Sequence, residues 1–84
     1  MRLYIGNIPT AATREDLRAM FEHFGIVEAV GIFKDRYTGI SSGRGVIEMA
    51  SASAAEIAIT HLHYTQYGGR TISVSRFPAE QVLP

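Results

Sequence analysis

Leu3-Tyr4-Ile5-Gly6-Asn7-Ile8 and Ser42-Gly43-Arg44-Gly45-Val46-Ile47-Glu48-Met49 decide how this chain is read. Both alternate with a two-residue period, the mark of a strand whose successive side chains leave on opposite faces of a sheet. If Leu3 and Ile5 face a core, Tyr4 faces solvent. In the second stretch Gly45, Ile47 and Met49 then face in, and Arg44, Val46 and Glu48 face out. One face of each strand builds the fold and the other is left for something else.

The flanking pattern extends this into a whole domain. Residues 2–7 form the first strand, closed by Pro9. Thr13 followed by Asp16 has the form of a capping box with Asp in place of Glu, and Leu17, Met20, Phe21 and Phe24 recur at helical spacing until Gly25 stops the helix. Val27, Val30 and Ile32 belong to a second strand running to about Lys34. Asp35 to Gly43 is a turn-rich loop, and residues 44–50 make the third strand. Ser53-Ala54-Ala55-Glu56 reads as a second capping box, opening a helix whose inner face is Ala55, Ala58, Ile59 and Leu62. A turn region from Tyr64 to Gly69 leads to a fourth strand, Thr71-Ile72-Ser73-Val74-Ser75. The order βαββαβ predicts an α+β, ferredoxin-like sandwich: a four-stranded antiparallel sheet with two helices on one face. The expected bounds are a domain over residues 1–77 and a short tail over 78–84.

Composition excludes much. A chain of 84 residues buries only about 60% of the surface its unfolded form exposes, so it supports one compact core. Hydrophobic residues make up 46% and charges are spread along the chain, a globular balance. No apolar run approaches the ~20 residues of a membrane span, and Met1-Arg2-Leu3 leads directly into a strand; the expected compartment is the cytoplasm. With zero cysteines the fold stands on packing alone. Eight Lys/Arg balance eight Asp/Glu, whereas nucleic-acid binders usually carry a basic excess. Of the eight basic residues all but Lys34 are arginines, and arginine both stacks on bases and grips phosphate with two nitrogens.

The two opening stretches together resemble the paired motifs of the RNA-recognition motif family, a resemblance covering Arg2 to about Phe77. Leu3 to Ile8 match the family's hexamer in full. The spacing to the octamer, the Asp35-Arg36-x-Thr38-Gly39 loop and the Gly69-Arg70-x-Ile72-x-Val74 ending are also similar to the family. The resemblance implies a sheet that stacks single-stranded bases on exposed aromatics, while loops and the C-terminal extension grip the backbone. It places Tyr4 at the stacking position and Asn7 at the hexamer asparagine. The octamer departs from the pattern basic-Gly-aromatic-Gly-aromatic-Val-x-aromatic. Gly43, Gly45 and Ile47 conform, Ser42 replaces the basic residue, Arg44 and Val46 stand where exposed aromatics belong, and Met49 replaces an inward one. Base–aromatic stacking is worth about 1–3 kcal/mol per base, so two lost rings predict weakened binding. Arg44 recovers part of it through cation–π stacking or a phosphate contact, and Val46 offers apolar contact only.

Phe33, with Lys34 beside it and Arg36 following, is a candidate replacement platform at the sheet edge. Ser73 and Ser75 share the open face, and Arg76-Phe77-Pro78 forms a stiff cationic-aromatic element placed to fold over it. Glu48 reads as a solvated charge on the sheet, and Arg18 and Glu22 as an i,i+4 pair on the outer face of the first helix.

Other chemistries are set aside. Gly43-Arg44-Gly45 enters a strand instead of opening a helix, so it cannot cradle a dinucleotide. His61 and His63 stand two apart with no third ligand, and no nucleophile–base–orienter set can be assembled, so neither a metal, a cofactor nor a catalytic residue is expected. An acylphosphatase-like hydrolase of this topology would need an arginine after the first strand, where Pro9-Thr10-Ala11-Ala12 has none. The expectation is a non-enzymatic domain that binds single-stranded RNA, or single-stranded DNA in its place, weakly or with limited sequence preference, through Tyr4, Asn7, Phe33, Lys34, Arg36, Arg44, Val46, Ser75, Arg76 and Phe77. The competing expectation is a protein-interaction or dimerisation module without membrane contact. A bare domain of this kind suits a small bacterial protein.

Overall fold

The computed structural model describes residues 1–77. The order of elements is β1 (Arg2–Gly6), α1 (Arg14–Glu22), β2 (Val27–Lys34), β3 (Ser41–Met49), α2 (Ala52–Leu62), β4 (Gln66–Tyr67), β5 (Arg70–Thr71) and β6 (Ser73–Arg76). The main sheet runs β2-β3-β1-β6 and is antiparallel throughout, with β4 and β5 forming a separate small hairpin.

The alternation in β1 and β3 becomes a register. Leu3 lies opposite Ile47, Tyr4 opposite Val46, and Ile5 opposite Gly45. Leu3, Ile5, Ile47 and Met49 are fully buried, as are Leu17 and Phe21 of α1, Ala55 and Ala58 of α2, and Ile72. The core therefore lies between one sheet face and two helices. Gly45 is required by close approach: a Cβ there would meet the carbonyl oxygen of Gly31 at 2.5 Å. Any side chain at this position would push β2 away from β3.

Helix starts follow capping chemistry. Thr13 Oγ1 accepts the Asp16 N–H at 3.1 Å, and Asp16 Oδ2 accepts the Thr13 N–H at 3.0 Å, a reciprocal box. The second helix corrects the expected cap. Its N-cap is Ser51, whose Oγ accepts the Ala54 N–H at 3.2 Å. Ser53 lies inside the first turn with its hydroxyl 2.8 Å from that of Ser51, and Glu56 is drawn away to pair with Arg76. Helix α1 ends at Glu22, before the expected stop at Gly25. Gly25 instead permits close packing on α2, since a Cβ there would come within 2.6 Å of the Ala54 methyl.

Two strand boundaries also shift. β3 begins at Ser41, because Ser41 pairs with Lys34 across the loop. The expected strand over 71–75 is divided, because Ile72 turns its backbone groups toward the end of α2: its N–H donates to the Thr65 carbonyl at 2.9 Å and its carbonyl accepts the Tyr64 N–H at 2.8 Å. Thr71 then closes the β4–β5 hairpin while β6 pairs with β1. The histidines take structural places. His61 stacks on Phe24 with centroids 5.5 Å apart, and His63 Nδ1 accepts the Val74 N–H at 2.9 Å. Arg18 combines its pairing with Glu22 at 3.9 Å with a 2.9 Å hydrogen bond to the Val27 carbonyl, tying α1 to the start of β2. Among the described residues no helix is long and apolar enough to cross a membrane. Pro78 and the expected 78–84 tail lie outside the described residues.

Candidate nucleic-acid interface

The sheet face turned away from the helices carries Arg2, Tyr4 and Gly6 from β1, Arg44, Val46 and Glu48 from β3, Ala29, Gly31 and Phe33 from β2, and Ser73 and Ser75 from β6. This follows from the register, in which Tyr4 lies between Val46 and Ser75, and Val46 between Tyr4 and Gly31. Tyr4 is thus at the centre of the face. Phe77 follows β6 and donates its N–H to the Arg2 carbonyl at 3.0 Å, which holds its ring 6.3 Å from that of Tyr4 at a 35° tilt. The Arg2 guanidinium lies 5.9 Å from the Phe77 centroid. Such a tilted ring pair is in the range of favourable aromatic contacts, and the cation adds to it.

Phe33 stands at the β2 edge, 43% exposed, with its backbone carbonyl accepting a 3.0 Å hydrogen bond from Ser42 Oγ. Between Phe33 and Phe77 nothing tall rises from the sheet, because Ala29 and Gly31 offer only a methyl and a hydrogen and Val46 is short. The result is a hollow of about 400 Å³, closed at one end by Arg2 and Glu48. At this end one carboxylate meets two cations. Glu48 Oε1 accepts from Arg2 Nε at 3.1 Å and Oε2 lies 3.3 Å from the Met1 amino group. Those donors hold the Glu48 carboxyl below its ordinary range, Arg2 first and the amino group second.

The other end is cationic. Arg44, opposite Gly6, is exposed; Lys34, at the end of β2, shares a recess with it, and Arg36 follows in the β2–β3 loop. Asp35 organises that loop. Its Oδ1 accepts the N–H groups of Tyr37 at 2.8 Å and Thr38 at 3.0 Å, and the Gly39 N–H returns to the Asp35 carbonyl at 2.8 Å. The Thr38 and Tyr37 donors lower the Asp35 pKa, so its carboxylate stays ionised while it holds the loop. The loop carries Tyr37 outward, 88% exposed.

The structure brings Tyr4, Phe33, Val46, Ser75 and Phe77 onto one face, with Arg44 at its end. Lys34 and Arg36 lie at the margin, Lys34 lining both the recess beside Arg44 and a groove toward the start of α1. Asn7 and Arg76 are placed differently. Asn7 sits at φ 61°, donates from Nδ2 to the Thr71 carbonyl at 2.8 Å, and accepts from Arg70 Nε and Nη2 at 3.2 and 3.0 Å. It clamps the β4–β5 hairpin to the end of β1, a conformation an asparagine tolerates. Arg76 lies opposite Leu3, so its side chain leaves on the helix side, where it pairs with Glu56 of α2. Sequence reasoning passed over Arg2, Ala29 and Gly31. Arg2 shares the parity of Tyr4 and was legible in principle, whereas Ala29 and Gly31 gain meaning only once β2 is in register with β3.

A four-stranded antiparallel sheet with both helices on one face, and rings and a cation on the other, defines a sheet-platform binding domain. Residues 3–73 match the RNA recognition motif family, and the chain belongs to that family. It is 36% identical over 76 residues to the putative RNA-binding protein RbpE of Nostoc sp., covering 90% of this chain and 77% of that one. It is also 36% identical over 74 residues to the small ribosomal subunit protein cS22 of Spinacia oleracea, of which it spans only 28% while 88% of this chain is covered. Among solved structures, the Rna15 RRM with bound RNA (GU) superposes with a TM-score of 0.82 at 26% identity, over 92% of this chain and 82% of that one.

Proposed function

We infer that the domain over residues 1–77 binds single-stranded RNA on its open sheet face. Tyr4 stacks one base, Phe33 and Phe77 bound the adjoining position, and Arg44 meets a phosphate or lies over a base, with Lys34 and Arg36 following the backbone along the β2–β3 loop. The observation that carries this reading is the Tyr4–Phe77 ring pair at 6.3 Å on a face no helix covers, in a chain of this family. The solved complex of a similar domain with RNA supports it. Binding is of low affinity and limited sequence preference, because Val46 forgoes a stacking platform and the formal net charge is zero. Single-stranded DNA offers the same stacking faces and is a weaker alternative ligand. The role is non-catalytic, the setting a bacterial cytoplasm; the Nostoc relative supports the bacterial part.

Salt dependence tests this reading. Three phosphate contacts, at about −0.7 each for a single strand, predict that log K for random-sequence RNA falls with log salt at a slope of about −2. Binding absent at low salt, or insensitive to it, contradicts the reading. A protein-interaction module would instead retain its partner across the same salt range.

A further inference from the structure

The hollow between Phe33 and Phe77 is not a flat platform. Its floor is Gly31 and Val46, its walls are two rings, and its closed end is the Arg2–Glu48 pair. At about 400 Å³ it falls within the range of small-molecule recesses, roughly 300–1,000 Å³. A base entering between the rings lies on an apolar floor and presents one hydrogen-bonding edge to the closed end. There an ionised acceptor makes a shorter and stronger hydrogen bond than a neutral one. Each Glu48 oxygen already has one donor, from Arg2 or from the Met1 amino group, and keeps a second lone pair. A carboxylate so held is ionised and cannot donate. It therefore distinguishes bases by their donors. Guanine offers two adjacent donors, N1–H and N2–H, that match the two oxygens. Adenine and cytosine offer one amino donor beside a ring acceptor. Uracil offers a single N3–H flanked by two carbonyl oxygens that the carboxylate repels.

We propose that Glu48, at the closed end of the hollow between Phe33 and Phe77, reads the donor edge of a base and makes this position prefer guanine to uracil. The proposal rests on the RNA-binding reading above and adds one selective position to a strand otherwise held without regard to sequence. It is tested by fluorescence anisotropy on the full chain with labelled r(UUUUU) and r(UUGUU) at low salt. The guanine-containing strand binds about tenfold tighter, the effect of one well-made bidentate base contact. Glu48→Gln lowers that ratio to about twofold or less, since a carboxamide also donates to uracil carbonyls. Val46→Phe fills the hollow from its floor and also lowers the ratio, while binding of both strands persists. Equal binding of the two strands by the unaltered chain, or a ratio preserved in both variants, overturns the proposal and leaves RNA binding standing. Failure of the unaltered chain to bind either strand overturns the RNA reading and the proposal together.

Discussion

The two faces of one sheet assign opposite tasks to neighbouring residues. Along β3, Ile47 and Met49 are fully buried against the helices, whereas Arg44, Val46 and Glu48, one step out of phase, stand on the open side. The buried face permits almost no change, because every methylene there has packed neighbours. On the open face, two ring positions of the family have become arginine and valine with the fold intact. The difference teaches that stability and binding are written on alternate positions of the same strands, so mutations should separate them.

Phe21→Ala is the strongest test of that separation. Removing a fully buried ring should cost about 3–5 kcal/mol of folding stability, seen as a lower denaturant midpoint, without touching any open-face residue. Tyr4→Ala should do the reverse, losing about 1–3 kcal/mol of RNA affinity while the midpoint moves little. Unchanged affinity would remove Tyr4 from the interface. Val46→Phe should return a stacking platform and tighten binding of r(UUUUU) by about 1–2 kcal/mol even as it lowers the guanine preference; unchanged affinity for r(UUUUU) would show that a ring at this position does not stack. Ser51→Ala should cost about 1 kcal/mol of stability and Ser53→Ala clearly less, because Ser51 alone caps α2. The smallest effect concerns Asp35. Its folded pKa is depressed, so its contribution to loop order is full above the unfolded value of about 3.9 and is lost as pH falls through the lower folded value. Amide signals of Tyr37 and Thr38 should therefore hold steady down to about pH 4 and shift below it, and Asp35→Asn should abolish that transition.

Much of the buried face was legible from period alone. Leu3, Ile5, Ile47 and Met49 alternate and are buried, and Leu17 and Phe21 recur at helical spacing and meet them. Local hydrogen bonding was less legible. Ser51 and Ser53 are equally good caps in isolation; Ser51 takes the Ala54 N–H, and Glu56, the box partner expected for Ser53, pairs instead with Arg76 from a strand twenty residues away. Arg76, expected over the open face, follows its parity instead: it lies opposite the buried Leu3 and so leaves on the helix side. Asn7 could be recognised as part of a motif, but its bonds to Thr71 and Arg70 join chain ends more than sixty residues apart. The hollow depends on Gly31 lying opposite Val46, a register that two irregularities in the β2–β3 pairing help to set. No pattern within β2 announces it.

The central claim, that the open face and not the helical one is the binding surface, is tested most directly by an NMR titration of the labelled chain with random-sequence single-stranded RNA at low salt. The account predicts progressive shifts at Tyr4, Phe33, Arg44, Val46 and Phe77, with the outer faces of α1 and α2 unmoved. Shifts confined to the helices, or none at all, while Tyr4 and Arg44 stay in place would contradict it.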